Sequence, residues 1–325
     1  MRAAVCRQYG APEVVEITDI DPPPLGPGTA RVRVEAAAVN YPDVLIVAGE
    51  YQIKVPPPFV PGSELAGEVI ELADDVTTLH VGDRVFGSAL MGTFAEEAVV
   101  GATTLTPIPA GVDAAVAAAF GVAHRTAYNT LRSVAQLQPG EELVVLGAGG
   151  GVGLAAVQLG AHLGATVTAV ASSPEKLAAA SALGATHCID HRTHGLRAAL
   201  REILPNGVDV VVDPVGGDLA EPALRALRYG GRFVTVGYAS GVIPKIPLNL
   251  VLLKGISIRG FEFLSFATHE TADLERNERE LLELLASHRA FPYIGARFAL
   301  ADAAAALRHV ADGRAIGKVV LDVNA

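Results

Sequence analysis

A glycine-rich loop near the middle of the chain carries the strongest chemical signal. Residues 142–154, ELVVLGAGGGVGL, place it directly after a predicted strand and directly before a predicted helix. Gly150 and Gly151 would let the backbone approach a pyrophosphate, and Gly153 would let the helix pack on its strand. The helix N-terminus adds free N–H groups and a positive dipole end. An ordinary tight turn is the alternative, and Ala148 departs from the usual glycine fingerprint. We expect a dinucleotide at Gly149, Gly150, Gly151, Val152 and Gly153.

The end of the next predicted strand indicates which dinucleotide binds. A carboxylate about 20 residues past the loop would hold the ribose 2′-hydroxyl of NAD. Residues 169–176, AVASSPEK, have small hydroxyls there instead, and positive side chains follow the second and third strands. A pocket without the acid suits a 2′-phosphate. The alternative is that Lys176 and Arg192 are plain surface charges. We therefore predict NADPH, with its phosphate near Ser172, Ser173, Lys176, His191 and Arg192.

Four potential metal ligands lie close together in sequence, at His187, Cys188, His191 and His194. Alternation along a strand sends His187 and Cys188 to opposite faces. We therefore predict a strand end and a cofactor-edge loop here, and no metal.

The elements around the glycine loop alternate between β-branched runs and Ala- and Leu-rich stretches. This alternation predicts right-handed crossovers and a parallel sheet of six strands. Ser173 and Pro174 would open the helix after the second strand, and Gly184 would end it. The predicted strands are Glu142–Leu146, Thr166–Val170, Thr186–Ile189, Val208–Val212, Arg232–Val236 and Ile256–Gly260.

The first 120 residues have a different pattern, with alternating strands such as Ala30–Val39 and Leu65–Leu72 between proline and glycine turns. We predict a compact, mostly β barrel with few helices. Two helices at Thr271–His288 and Ala301–Asp312 and a strand at Lys318–Val323 are too few for a third domain. We expect this tail to return to the first domain. The predicted domains are 1–120 with 261–325, and 121–260.

The composition excludes several classes of protein. The chain of 325 residues is 50% hydrophobic and carries a formal net charge of −10. The apolar content excludes intrinsic disorder, and the acidic balance argues against a nucleic-acid partner. Two cysteines cannot build a disulfide framework. We find no signal peptide and no apolar span of membrane length, so a cytoplasmic protein without a membrane partner is expected.

Several motifs spanning residues 40 to 321 resemble one family. They are Asn40-Tyr41-Pro42-Asp43, Pro61-Gly62-Ser63-Glu64, the glycine loop, Asp213-Pro214-Val215-Gly216-Gly217 and Gly317-Lys318-Val319-Val320-Leu321. The whole chain is similar to the zinc-independent, ζ-crystallin-type quinone oxidoreductases of the medium-chain dehydrogenase/reductase superfamily. The resemblance implies an α/β protein with a GroES-like β-barrel catalytic domain and a Rossmann domain with a doubly wound parallel sheet. It also implies a homodimer joined near Ile256–Gly260.

The zinc alcohol dehydrogenases of that superfamily have a Cys near position 40 and a His in a Gly-His-Glu motif. Asn40 and Ser63 stand in those places here, and the cysteine lobe for structural zinc is missing. Neither replacement is a usual zinc ligand. We therefore expect no catalytic zinc.

A site without a metal should prefer acceptors that delocalise negative charge, such as quinones and α,β-unsaturated carbonyls, because hydrogen-bond donors then suffice. The resemblance places three side chains beside the nicotinamide. We expect Tyr51 to donate from its hydroxyl, Asn40 to orient the ring or the acceptor, and Asp43 to position them. The alternative is that Tyr41 and Tyr51 are surface aromatics and Asp43 is a turn residue.

The resemblance also places Thr126 on the nicotinamide side. Gly237, Tyr238 and Ser240 should border the cofactor's central part. Phe261, with Phe263 and Phe266, would either wall an apolar pocket or pack in the core. Lys318 would either touch the cofactor or be a surface lysine.

Two other functions remain open. An enoyl-thioester reductase of the acyl-CoA type would keep the cofactor but need cations for the CoA phosphates, and the sequence shows no obvious patch. A nucleotide-binding scaffold with little turnover is the third hypothesis. The main prediction is an NADPH-dependent quinone or enone reductase acting on a small molecule.

Overall fold

A computed structural model of the chain describes residues 1–323. In chain order, the part before the glycine loop contains β1 Arg2–Cys6, β2 Val15–Asp19, β3 Thr29–Val39, α1 Tyr41–Ala48, β4 Glu64–Leu72, β5 Arg84–Ser88, β6 Glu97–Gly101, β7 Leu105–Pro107 and α2 Ala114–Asn129. The middle part contains β8 Glu142–Leu146, α3 Gly151–His162, β9 Thr166–Ala171, α4 Pro174–Ala182, β10 His187–Asp190, α5 Leu196–Ile203, β11 Val208–Asp213, α6 Ala220–Ala226, β12 Leu227–Thr235, α7 Leu248–Lys254 and β13 Ser257–Gly260. The last part contains α8 Phe263–His269, α9 Thr271–Ala286, β14 Ile294–Ala299, α10 Ala303–Ala311 and β15 Lys318–Asp322. None of the helices within residues 1–323 has both the length and the apolar character that crossing a membrane requires.

The chain divides into two compact units. Unit 1 is Met1–Val122 with Ile294–Ala325, and unit 2 is Ala123–Tyr293. The last two residues of the predicted first domain, 324 and 325, lie outside the described residues.

Unit 1 is built on a mostly antiparallel sheet with the strand order β14-β15-β3-β4-β5-β7, and β6 pairs with β3. Strand β3 is central because it pairs with β15, β4 and β6. It alternates as the sequence predicts: Ala30, Val32 and Val34 are buried, while Arg33 between them is exposed. The C-terminal strand β15 pairs antiparallel with β3, with Val319 opposite Val39. The predicted return of the tail to the β domain is therefore seen in its last strand.

Helix α1 was not predicted, because its apolar run VLIVA has the composition of a strand. Its start depends on polar residues at the preceding motif. Asn40 is the N-cap, and its backbone N–H donates to Asp43 Oδ2 at 2.7 Å, as in a capping box. Gly49 ends the helix with a φ of 69°.

Unit 2 contains the predicted parallel sheet. Within the described residues it has six strands in the order β10-β9-β8-β11-β12-β13, and every neighbouring pair is parallel. This is the doubly wound order in which the chain reverses direction beside the first strand, here β8. The predicted α/β architecture, with a mostly β domain and a domain built on a doubly wound parallel sheet, is confirmed.

The boundary between the units differs from the prediction. The segment 261–293 belongs to unit 2, so the chain returns to unit 1 at Ile294 and not at 261. The reason is that α9 pairs with α2 through polar side chains. Glu278 accepts from Arg125 Nε at 2.6 Å, and the fully buried Asn277 donates to Asn129 Oδ1 at 2.7 Å.

Candidate functional site

The glycine loop between β8 and α3 is packed too tightly for side chains at Gly147 and Gly153. A Cβ on Gly153 would lie 2.1 Å from the carbonyl oxygen of Gly147, so only glycine lets α3 approach the loop. Gly147 itself has a φ of 61°, and a Cβ there would lie 2.5 Å from Val215 Cγ2. The role predicted for Gly153 in helix packing agrees with this geometry.

By contrast, there is space where a Cβ of residue 150 would lie. Gly150 is the N-cap of the 12-residue helix α3, and the nearest atom to an added Cβ would be Gly147 O at 3.7 Å. Helix geometry leaves the N–H groups of Gly151, Val152 and Gly153 without acceptors inside the helix. An open glycine in front of a helix N-terminus fits a phosphate group. The predicted loop residues therefore fit the pyrophosphate of a dinucleotide.

Lys176 joins the glycine loop to the end of β9. Its Cγ lies 2.5 Å from the position of a Cβ on Gly149, so its aliphatic stem covers that glycine. Its Nζ is 3.5 Å from Ser172 Oγ. Ser173 caps α4 as predicted, because its Oγ accepts the backbone N–H of Lys176 at 3.3 Å.

The Arg192 guanidinium and the His191 imidazole lie near Lys176. Burial, and then the charge of Arg192, lower the pKa of Lys176. Burial lowers the pKa of His191, and the charges of Arg192 and Lys176 add to this, while Asp190 opposes it. The backbone N–H of His191 donates to Ala171 O at 3.2 Å, which places the residues after β10 at the end of β9. The three basic residues that we assign to the 2′-phosphate therefore lie at the same edge of the sheet. No acid ends β9, whose last residue is Ala171.

Asp213 is a buried carboxyl that was not predicted as a site residue. It ends β11, and its Oδ1 accepts the N–H groups of Val215 and Gly216, both at 2.8 Å. Its Oδ2 has no hydrogen-bond partner within residues 1–323, and burial raises the pKa of the carboxyl. Asp213 thus fixes the turn that brings Val215 against Gly147. The Asp-Pro-Val-Gly-Gly motif after a buried strand was the available signal.

The loop after β12 runs beside this turn. The N–H of Ala239 donates to Pro214 O at 3.2 Å, and that of Ser240 donates to Val215 O at 3.0 Å. Gly237 is half-buried, whereas Tyr238 and Ser240 are exposed. These three predicted residues therefore lie near the glycine loop within unit 2.

The other predicted cofactor residues of unit 2 lie elsewhere. Thr126 lies half-buried in α2. Phe261 is buried, with its ring 5.5 Å from that of Phe266, an arrangement typical of core packing. The Arg125 guanidinium lies over the Phe263 ring at 4.6 Å.

Unit 1 contains a buried polar cluster at the start of α1. Lys318 Nζ donates to Asn40 Oδ1 at 2.5 Å and to Glu64 Oε2 at 2.7 Å. Asn40 Nδ2 donates to Glu64 Oε2 at 2.8 Å and to Ser63 Oγ at 3.2 Å. Glu64 Oε1 also accepts the N–H of Val122. We call Asn40, Ser63, Glu64 and Lys318 the amide cluster. The alternative that Lys318 is a surface lysine is wrong, because the residue is only 3% exposed. Its contact with the cofactor stays a prediction.

Asp43 lies beside the amide cluster and is fully buried. Burial raises its pKa to about 7, although the N–H of Asn40, the Ser63 hydroxyl and the Lys318 charge act in the opposite direction. Asp43 is therefore a helix-capping residue and not the turn residue of the alternative interpretation. Tyr51 follows α1, and its half-buried side chain packs against the core of unit 1.

The amide cluster does not fit a zinc ion. Its donors are an amide, a hydroxyl and one carboxylate, and the carboxylate already faces the ammonium of Lys318. Zinc is usually bound by thiolate, imidazole and carboxylate ligands. Across residues 1–323, no group of three His, Cys, Asp or Glu side chains is arranged to hold a metal ion.

Unit 2 also contains a cavity of about 590 Å³. Its lining includes the charged residues Arg197, Asp218, Glu221, Arg225 and Lys245 and the apolar residues Val242 and Ile243. Arg225 pairs with Glu221, but Arg197 and Lys245 have no acidic partner among the described residues.

Comparison with known protein families gives two matches. Residues 26–110 match the alcohol dehydrogenase GroES-like domain, and residues 151–286 match the zinc-binding dehydrogenase family. The two matches fall in unit 1 and unit 2, respectively.

Individual relatives cover almost the whole chain. A quinone oxidoreductase-like protein 2 homologue of Nematostella vectensis is 36% identical over 99% of this chain and 89% of its own length. The crystal structure of Escherichia coli quinone oxidoreductase complexed with NADPH superposes with a TM-score of 0.92 at 26% identity, covering 99% of this chain and 100% of that one. The polyketide synthase GfsB of Streptomyces halstedii is 38% identical over 92% of this chain, which corresponds to 5% of that much longer protein.

Proposed function

Because the chain belongs to the quinone oxidoreductase-like proteins of the medium-chain dehydrogenase/reductase superfamily, we propose that it is an NADPH-dependent reductase of quinones or other α,β-unsaturated carbonyls. The observation that carries the proposal is the basic cluster of Lys176, His191 and Arg192 beside β9, a strand with no terminal acid. Bound NADPH would supply the hydride.

The residues of unit 2 would hold this cofactor by complementary charge. The N-terminus of α3 and the open Gly150 suit the pyrophosphate. Lys176 and Arg192 would neutralise the 2′-phosphate, whose two negative charges make such contacts stronger than neutral hydrogen bonds. Ser172 and Ser173 add hydroxyl donors. NADH lacks that phosphate, so the basic cluster favours NADPH.

The amide cluster supports a reaction without zinc, since its amide and hydroxyl are not usual zinc ligands and its carboxylate is paired with the Lys318 ammonium. A reductase of this kind must stabilise a developing oxyanion with hydrogen bonds alone. Quinones and enones spread that charge over a conjugated system, so a modest donor suffices. We propose the Tyr51 hydroxyl as this donor, with Asp43 holding the start of α1.

The first test is a steady-state assay of NADPH and NADH oxidation with an ortho-quinone, in the presence of a metal chelator. We expect turnover that resists the chelator and prefers NADPH. Turnover that is lost with the chelator and restored by zinc would contradict the metal-free route. A preference for NADH would contradict the assignment of the basic cluster.

A specific observation favours a second candidate, an enoyl-thioester reductase. The match to a polyketide synthase covers most of this chain, and the cavity in unit 2 presents Arg197 and Lys245, which have no acidic partners among the described residues. These cations could receive the phosphates of an acyl-CoA. Comparing crotonyl-CoA with a quinone under identical conditions decides between the two. A higher kcat/KM for crotonyl-CoA, reduced by Arg197→Ala, would favour the thioester. Bound NADPH without reduction of either acceptor would favour a scaffold.

We also propose that the chain forms a homodimer through unit 2. Strand β13 is an edge of the parallel sheet, so it leaves backbone groups unpaired. Nearby on β12 and α7, Tyr229, Leu248, Leu252 and Leu253 are between 72% and 82% exposed. A second copy would cover this apolar surface. Sedimentation of the wild type should give a dimer, and Leu252→Glu should give a folded monomer. A monomeric wild type at micromolar concentration would contradict the proposal.

A further inference from the structure

The side chain of Asn40 lies between two groups of opposite hydrogen-bonding character. Lys318 is only a donor, and it meets Asn40 at Oδ1. A carboxylate is only an acceptor, and Glu64 meets Asn40 at Nδ2. These two neighbours leave one orientation of the amide, since a flipped amide would face an ammonium with its NH2 group and a carboxylate with its oxygen.

We propose that Lys318 and Glu64 are positioning residues that fix the Asn40 amide as a hydrogen-bond acceptor. The NH2 group of Asn40 is already engaged by Glu64 and Ser63. Its oxygen uses one lone pair on Lys318 and keeps a second. Asn40 can therefore accept a hydrogen bond from an amide N–H or a hydroxyl, but it has no N–H left for a substrate carbonyl oxygen.

This inference rests on the proposed function, and it assigns different roles to Asn40 and Tyr51. If Asn40 only accepts, its suitable partner is the carboxamide of the nicotinamide or a hydroxyl of the reduced product. Donation to the acceptor's carbonyl oxygen then falls to Tyr51. Asn40 thus contributes to the orientation of its partner and not to the stabilisation of the oxyanion.

Burial explains why two charges are needed to hold one amide. Lys318 is 3% exposed and Glu64 is fully buried, so removing either residue alone would leave an uncompensated charge inside unit 1. A single variant can therefore fail to fold for reasons unrelated to Asn40. The double variant Lys318→Met, Glu64→Gln removes both charges together. The glutamine amide introduced by the second substitution can donate or accept, so it no longer selects one orientation of the Asn40 amide.

The experiment compares this double variant with the wild type by two measurements. The first is hydrogen exchange of the Asn40 side-chain NH2 group in protein labelled with ¹⁵N-asparagine, with the signal assigned by its loss in Asn40→Asp. The second is the rate of hydride transfer in a single turnover with NADPH and a quinone. Val69→Ala, a cavity variant in the core of unit 1, serves as the control for lowered stability.

We expect the exchange to quicken at least about tenfold in the double variant, because the N–H group that Glu64 accepts loses its fixed acceptor and the Asn40 amide can then rotate. Hydride transfer should fall about 10- to 100-fold with little change in the Kd for NADPH, as expected for a misoriented reactant. Val69→Ala should lower the Tm without either effect.

Exchange and hydride transfer that match those of Val69→Ala would overturn the positioning role while leaving the proposed function intact. If the wild type transfers no hydride to any quinone or enone, the proposed function fails. The exchange measurement still decides the positioning role in that case, because it needs no turnover. Unchanged exchange would then reject it.

Discussion

Lys176 lies directly over Gly149, with its Cγ 2.5 Å from where a Cβ of residue 149 would stand. The contact joins the glycine loop, which we assign to the pyrophosphate, to the basic cluster, which we assign to the 2′-phosphate. The atoms that a Cβ at residue 149 would clash with are Cβ, Cγ and Cδ of Lys176, close to its backbone. Lys176 therefore cannot move aside without leaving its position next to Ser172. The glycine at 149 therefore sets the position of a cation, in addition to giving the loop its shape.

The first prediction follows from this contact. Gly149→Ala should displace Lys176 and lower the preference for NADPH over NADH about tenfold, the lower end of what one charge-assisted hydrogen bond contributes. The measurement is the ratio of kcat/KM for the two cofactors. Gly195→Ala is the matched control, since a Cβ there meets nothing within 4 Å. An unchanged ratio would show that Lys176 does not contact the phosphate.

The second prediction concerns the basic cluster itself. Lys176→Met should raise the KM for NADPH about 10- to 100-fold and leave the KM for NADH nearly unchanged, because a hydrogen bond to a charged group contributes about 1.5–3 kcal/mol. The exposed Lys54 of unit 1 supplies the control, Lys54→Met. An equal loss with both cofactors would contradict the assignment to the 2′-phosphate.

The third prediction separates two glycines of the loop. Gly153→Ala forces a Cβ against Gly147 O, and we expect it to lower the free energy of unfolding by about 1–3 kcal/mol. Gly150→Ala meets nothing closer than 3.7 Å, so stability should be kept while binding of NADPH and NADH falls together. Denaturant unfolding and fluorescence titration measure the two effects. Tight cofactor binding by Gly150→Ala would place the pyrophosphate elsewhere.

The fourth prediction is a pH dependence of stability set by Asp43. Burial raises the pKa of this carboxyl to about 7 in the folded chain, against an ordinary value of 3.8. The folded state therefore binds a proton that the unfolded state has released. The resulting stabilisation is complete below about pH 4 and is lost as the pH rises through about 7.

Asp43→Asn tests this directly, because its amide oxygen can still accept the N–H of Asn40. Between pH 4 and 8, the free energy of unfolding of the wild type should fall more than that of the variant, by on the order of 4 kcal/mol. The charged neighbours Glu64 and Lys318 are the same in both proteins, so their effects cancel. Parallel curves would show that Asp43 is ionised in the folded chain.

The parallel sheet was predictable from the sequence because its signals are local. Each strand is a β-branched run next to a helix or a glycine turn, and all six were found within a few residues. The basic cluster was predictable for a similar reason. Lys176, His191 and Arg192 follow neighbouring strands, and the carboxyl ends of parallel strands meet at one edge.

The amide cluster was harder to predict, because its members are far apart in sequence. Lys318 could be placed on a strand, but its burial depends on pairing with Glu64, 254 residues away. The sequence predicted that the chain returns to unit 1 at residue 261, whereas it returns at Ile294. The reason is that α9 is amphipathic, and its sequence pattern does not indicate which unit it packs on. The contact between Asn277 and Asn129 assigns it to unit 2.

The connection of the units has a consequence for synthesis on the ribosome. Unit 2 is one continuous segment, 123–293, whereas unit 1 needs β15 from the end of the chain to pair with β3 near its start. The domain that emerges first is thus completed last. Until Lys318 leaves the exit tunnel, Glu64 and Asn40 lack their ammonium partner. During that interval strand β3 of unit 1 has an open edge and the Glu64 carboxylate is unpaired. Unit 2 already has its full sequence by then.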